Sequence, residues 1–209
     1  SAASDVYKRQ DMYRANAQRA KAQSRFADYH DYLLSLEMTA EIGDFSPLYL
    51  QRITQLTNKS NQFNLTTKRY TAEQMEAVYN SDEYIRLYGK LYDKFGDNGV
   101  VAVTIGKTDS EDKGRLDIEL WLMSCRVLKR DMELAMLDSL VEQAKKRGIR
   151  EIYGHYYPTA KNKMVAGLYE SFGFEKISQD EEGNTAWRLL VEGYEDKNTV
   201  IKVKEEHYA

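Results

Sequence analysis

The stretch RLDIELWLMSCRVLKRDMELAMLDSLVEQAKKRGIREIYGHY, residues 115–156, decides the fold class. It opens with Leu116, Ile118, Leu120 and Leu122 at every second position, the period of a strand over about 115–123. From Met132 the period lengthens. Met132, Ala135, Met136, Leu140 and Val141 share one face of a helix over about 131–147. Lys145, Lys146 and Arg147 complement the negative end of its dipole, and Gly148 stops it. A strand over 150–156 follows, so strand, helix and strand make a crossover unit of the kind that builds α/β domains.

Upstream, Phe95-Gly96-Asp97-Asn98-Gly99 is a turn between strands at about 84–92 and 99–106. Thr71-Ala72-Glu73-Gln74 is a capping box opening a helix. Ser46-Pro47 reads as N-cap and first residue of another helix, through about Leu56, with Leu48, Ile53 and Leu56 inward. Leu36, Met38, Ala40 and Ile42 alternate as a strand. Downstream, a helix over 161–172 precedes strands near 174–178 and 185–192. Residues 11–35 hold no Gly or Pro, and Phe26, Tyr29, Leu33 and Leu36 fall on one face. This predicts a helical arm, polar at first, that docks at its C-terminal end. The order β-α-α-β-β-β-α-β-α-β-β behind that arm predicts a mixed central sheet with helices on both faces.

The chain starts Ser-Ala-Ala-Ser without Met, which reads as a piece of a longer protein, and Asp5–Gln10 resembles a translated sequencing adaptor. Residues 1–10 are therefore set aside as a leader, or else simply begin a helix; 11–35 are the arm and 36–209 the domain. The 209 residues carry 30 Lys+Arg against 33 Asp+Glu, a net charge of −3, which leaves no electrostatic footprint for nucleic acid. No apolar run is long enough to span a membrane. One cysteine, Cys125, excludes an intrachain disulfide, and with histidines only at 30, 155 and 207 no zinc site or other metal centre is expected. The cytosol is the expected compartment.

Asn162-Lys-Met-Val-Ala-Gly-Leu-Tyr169-Glu-Ser-Phe-Gly173-Phe174 resembles the helix-and-turn element of the GNAT acyltransferase superfamily, whose strand order matches residues 36–192. A second resemblance is narrower. Residues 55–70, QLTNKSNQFNLTTKRY, resemble the FkbH-like family, as do Asp93–Gly99, Trp121–Leu128 and Pro158–Asn162, in the same order. That resemblance implies a GNAT-like domain behind an N-terminal HAD-like phosphatase domain. It further implies movement of a short acyl unit, glyceryl, onto an acyl carrier protein thiol in polyketide biosynthesis. Two alternatives stand beside it: a non-catalytic GNAT-like module that docks the carrier protein, and a CoA-dependent N-acetyltransferase.

Arg126-Val-Leu-Lys-Arg-Asp131 stands where GNAT proteins place an Arg-x-x-Gly-x-Gly phosphate loop, with Lys129 and Asp131 at the glycine positions. Either Asp131 is an ordinary N-cap and the loop binds no phosphate, or Arg126, Lys129 and Arg130 hold the phosphate of a carrier's phosphopantetheine, or of acyl-CoA, by side-chain charge. Cys125 is either a small buried hydrophobe or a nucleophile that carries the acyl group as a thioester, with His155 as its base. The resemblance makes Tyr169 the acid for the departing sulfur, otherwise a core aromatic. It also makes Asn162 a partner of the pantetheine amides, otherwise a helix N-cap. Asn61, Gln62, Asn64, Thr66 and Arg69 form a polar stretch, either a turn or a seat for a hydroxylated acyl group.

Overall fold

The computed structural model describes residues 1–205; residues 206–209, His207 among them, lie outside the described residues. Helix α1 (Ala2–Gln23) and α2 (Tyr29–Ser35) lead into β1 (Met38–Gly43), α3 (Pro47–Lys59) and α4 (Ala72–Tyr79). Strands β2 (Tyr84–Asp93), β3 (Gly96–Thr108) and β4 (Arg115–Met123) follow, then α5 (Met132–Lys146), β5 (Glu151–Tyr156) and α6 (Leu168–Ser171). Strands β6 (Glu175–Gln179), β7 (Thr185–Leu190) and β8 (Ile201–Glu205) complete the sheet, whose order is β6-β7-β5-β4-β3-β2-β1-β8. β4 with β5 and β1 with β8 are parallel, and the remaining pairs are antiparallel. This is the expected mixed sheet. α2, α5 and α6 cover one face around Trp121, Leu137 and Phe172; α3 and α4 cover the other around Ile53, Met75 and Leu122.

Helix α1 begins at Ala2, so the residues set aside as a leader are continuous with the arm. The arm itself breaks in two. Asp28 accepts a hydrogen bond from the His30 N–H at 2.7 Å and so caps a new helix, α2, after a tight turn over Ser24–Phe26. Leu33 and Leu36 are buried as expected, but Phe26 and Tyr29 are 39% and 42% exposed because the break rotates them off the shared face.

The clean alternation expected along β4 also changes partway. Ile105 pairs with Leu120 but Gly106 with Ile118, so Glu119 is an extra residue, a β-bulge. The bulge reverses the facing of the residues beyond it. Leu116 and Ile118 join the α5 side together with Trp121 and Met123, while Leu120 and Leu122 join the α3 side. Smaller departures have equally local causes. The β2–β3 hairpin turns at residues 94–95, with Asp93 opposite Gly96, and the rest of the expected turn lies inside β3, where Gly99 takes φ +71°. The capping box of α4 forms in full, whereas Ser46 makes no capping bond to α3 and Leu48 is 78% exposed. The expected 161–172 helix reduces to a 3-10 turn, Lys163–Val165, and the single turn α6, with Gly167 between them. Strand β8 extends the sheet beyond the expected elements, pairing Val203 with Ala40.

Packing is close where β5 meets α6. A Cβ at Gly154 would lie 2.5 Å from the Tyr169 ring, which also packs on Trp121 and Phe174 with ring centroids 6.3 and 5.0 Å away. Gly154→Ala is therefore expected to cost about 1–3 kcal/mol through overpacking, read as a lower urea midpoint at unchanged m-value.

Candidate active cleft at the end of strand β4

Strand β4 stops at Met123, and Ser124 Oγ accepts the Arg126 N–H at 3.3 Å to start a 3-10 turn over Cys125–Val127. The turn carries Val127 into the core and leaves Cys125 exposed, its Sγ–H donating to Gln62 Oε1 at 3.3 Å. Cys125 is thus not a buried hydrophobe. It opens on a cleft of about 1170 Å³ between α1, α3 and the 60–62 segment. Six lining residues are cationic, Lys8, Arg9, Arg52, Lys59, Arg126 and Lys161, against one acid, Asp5. Residues set aside as a leader therefore form one wall of the cleft. The α3 cations, seven residues apart, share a helix face, a spacing the sequence displays. That α1 lies opposite them follows only from its packing.

Strands β4 and β5 pair over only Arg115–Asp117 and Glu151–Tyr153, then part. Phe63–Thr66 enters the opening. Leu65 N–H donates to the Trp121 carbonyl at 3.1 Å, Met123 N–H to the Phe63 carbonyl at 3.0 Å, and Tyr157 N–H to the Leu65 carbonyl at 2.9 Å. Thr66 Oγ1 donates to the Glu119 carbonyl at 2.7 Å, and Asn64 makes a bridge with Leu122. Asn64 is wholly buried and Thr66 nearly so, which withdraws both from a substrate. Arg69 donates to the Thr57 carbonyl, to the Ser60 carbonyl at 2.9 Å and to Asn61 Oδ1, so it ties the loop together. Of the five polar residues only Asn61 and Gln62 line the cleft. Asn162 is also fully buried. Its Nδ2 donates to the Asn64 and Tyr157 carbonyls at 2.9 and 3.0 Å, which clamps the inserted segment and leaves no amide for pantetheine.

The 126–131 loop keeps the backbone path that glycines would favour. Lys129 and Asp131 adopt φ of +63° and +65°, a left-handed conformation that costs an L-residue roughly 1–2 kcal/mol each. Asp131 occupies the N-cap position of α5 without making a capping bond, so it is not an ordinary N-cap. The backbone N–H groups of Lys129 to Met132 have no partner among the described residues. Burial pushes the Asp131 and Glu133 carboxyls up, and their mutual proximity pushes Glu133 further. Lys129 is exposed, and its carbonyl accepts the Tyr29 hydroxyl. Arg130 turns inward, its guanidinium 2.9 Å from the Arg126 carbonyl and 3.4 Å from Asp93, so it faces no ligand.

Asp93 has no exposed side-chain surface and takes Arg19 of α1 through two bonds of 2.6 and 2.9 Å. One carboxylate thus joins α1, the β2–β3 hairpin and the loop before α5. Asp93→Asn leaves two buried guanidiniums uncompensated and is expected to cost about 3–5 kcal/mol in chemical denaturation, whereas a surface charge change costs under about 0.5 kcal/mol.

His155 Nε2 lies 2.8 Å from Asp117 Oδ1, and Asp117 also takes two bonds of 2.9 Å from Arg115. From Asp117 to Met123 is six strand positions, about 20 Å at ~3.3 Å each, so His155 is not the base for Cys125. Tyr169 is buried, and burial holds its phenol well above its usual range against the lowering effect of the His155 backbone. It is a core aromatic rather than an acid at the cleft. Burial pushes Asp117 up, but the hydrogen bonds of His155 and Arg115 outweigh it and hold the carboxyl below its usual value. A depressed carboxyl adds stability above the unfolded value near pH ~4 and loses it as pH falls through the folded value. The acid limb of the stability–pH curve is expected to flatten in Asp117→Asn, measured by urea midpoints.

No protein-family model and no curated protein sequence matches the chain. Solved structures do. The ribosomal-protein-S18-alanine N-acetyltransferase of Escherichia coli superposes with TM-score 0.54 at 14% identity, covering 77% of this chain and 99% of that one. YncA of Salmonella typhimurium, solved with its cofactor acetyl-CoA, gives 0.55 at 14% identity over 76% and 96%. An acetyltransferase from Thermus thermophilus gives 0.55 at 12% identity over 73% and 97%. No helix among the described residues is long and apolar enough to cross a membrane. At these identities the likeness is one of architecture, and that architecture, a mixed sheet with helices on both faces behind an N-terminal helix, is the fold of the GNAT acetyltransferases.

Proposed function

We propose that this chain is the acyltransferase domain of a FkbH-like protein, in which Cys125 carries a short hydroxylated acyl unit, glyceryl, to the thiol of an acyl carrier protein. The observation that carries the reading is the exposed Cys125 thiol, held by Gln62, at the floor of a cleft with six cations and one acid. Such a cleft suits phosphate-bearing reactants. In the first step Cys125 Sγ bonds to the acyl carbon of an acyl phosphate, the carbon–oxygen bond to phosphate breaks, and the departing phosphate takes the thiol proton. In the second the carrier thiol attacks the thioester and Cys125 sulfur leaves with the incoming proton. Asn61 and Gln62 supply hydrogen bonds to the acyl hydroxyls. The HAD-like domain and the carrier protein are the partners of this reading.

The filled β4–β5 opening favours a second reading, a non-catalytic module that docks the carrier protein. A free acyl-CoA placed in that opening requires Phe63–Thr66 to leave. The test is intact-protein mass spectrometry of the full-length protein with 1,3-bisphosphoglycerate and holo-carrier protein. A glyceryl adduct on Cys125, with carrier loading lost in Cys125→Ala, is the expected result. Loading that survives in Cys125→Ala overturns the nucleophile. Carrier bound without any adduct establishes the docking module instead.

A further inference from the structure

The chain pairs its three buried arginines, and two partly exposed ones, with carboxylates. Arg19 and Arg130 meet Asp93, Arg86 meets Asp44 at 2.8 Å, Arg115 meets Asp117, and Arg188 meets Glu175. Two half-buried arginines break the pattern. Arg52 of α3 makes no hydrogen bond or ion pair among the described residues. The Arg126 guanidinium has only neutral partners, Ser124 Oγ at 3.3 Å and Met12 Sδ at 3.4 Å. These two are neighbours. Both line the cleft at Cys125, and both line a second cleft of about 770 Å³ on the β2–β3 hairpin side of α1, so they stand where the two clefts meet. Burial pushes both guanidiniums down, and the charge of Arg126 pushes Arg52 further.

Two like charges brought together, partly desolvated and given no internal counter-charge, cost stability unless an anion joins them. Guanidinium forks match the planar pairs of oxygens on a phosphate. We propose that Arg52 and Arg126 form a phosphate-binding site at the junction of the two clefts. The site itself needs only those side chains. Its part in acyl transfer rests on the reading of Cys125 as the carrier, since Arg126 is the next residue along the chain. The phosphate belongs either to the acyl phosphate donor or to the pantetheine arm of the carrier.

The test is thermal unfolding of this chain with and without inorganic phosphate, at ionic strength matched with chloride, beside Arg52→Gln, Arg126→Gln, Cys125→Ala and Arg150→Gln. Arg150 is an exposed arginine at the far end of β4. Phosphate is expected to raise the Tm of the parent, Cys125→Ala and Arg150→Gln. Either glutamine variant in the pair should lose that rise, with apparent affinity at least about tenfold weaker. Arg52→Lys, which keeps the charge without the fork, should retain a weaker response. No rise in the parent, or an equal rise in Arg52→Gln, overturns the site. Competition by acetyl phosphate against pantetheine 4′-phosphate then assigns the source, the tighter competitor naming donor or carrier arm. Because Cys125→Ala keeps its phosphate response, loss of the nucleophile reading and loss of the phosphate site give different results.

Discussion

The parting of β4 from β5 is the constraint around which the molecule is arranged. After three paired residues on each strand the parallel ladder ends, and the bulge at Glu119 turns the rest of β4 onto the opposite facing. Such an opening in the middle of a sheet leaves backbone groups that cannot remain unpaired in a core. Phe63–Thr66 satisfies them in the manner of a short extra strand, and Asn162 secures it from the far side. The 60–62 segment is in turn delivered to the surface, which is how Gln62 comes to meet Cys125. The contact of Gln62 with the exposed Cys125 thiol and the filled opening are thus two results of one insertion.

A second economy concerns charge. The interior accepts guanidinium groups where a carboxylate waits, and the Asp93 cluster shows how much one acid can organise, since it receives arginines from α1 and from the loop before α5. The cleft is built on the opposite rule. Its cations come from α1, α3, the turn after β4 and the segment before Asn162, and a single acid, Asp5, lines the cleft beside them. A surface arranged that way carries a positive potential that attracts anions.

Most of the fold was legible because it rests on periodicity. The stripe Met132–Val141 and the alternating Leu36–Ile42 stretch need only their own spacing to declare helix and strand. Legibility failed where one residue changes the reading frame. Glu119 inserts a step that no alternation reveals, since every residue from Leu120 to Met123 is apolar and buried whichever face it takes. Asp28 ends one helix by starting another. The site was legible only at Cys125, Arg126, Asn61 and Gln62. Asn64, Thr66 and Asn162 carry the same amide and hydroxyl chemistry as ligand-binding residues, and only their burial distinguishes a side chain that holds backbone from one that holds a substrate. The sequence displays the helix spacing of Arg52 to Lys59, but the lack of a partner for Arg52 among the described residues is a property of space rather than of sequence.

Helix α1 buries only Ala15, Arg19 and Ala22, all in its second half. Its anchorage is Arg19, and Arg9, on the cleft wall, lies ten residues away, about 15 Å at ~1.5 Å per residue. Mechanically this is a lever held firmly near one end, with the 3.4 Å contact of Met12 to Arg126 as a lighter tie along the cleft. Helices of this length are stiff, so a rotation of roughly 10° at the fixed end carries the far end through about 3 Å. The Asp93 clamp and the short Ser24–Asp28 joint, both remote from Cys125, therefore set the angle at which the first turns of α1 stand over the cleft.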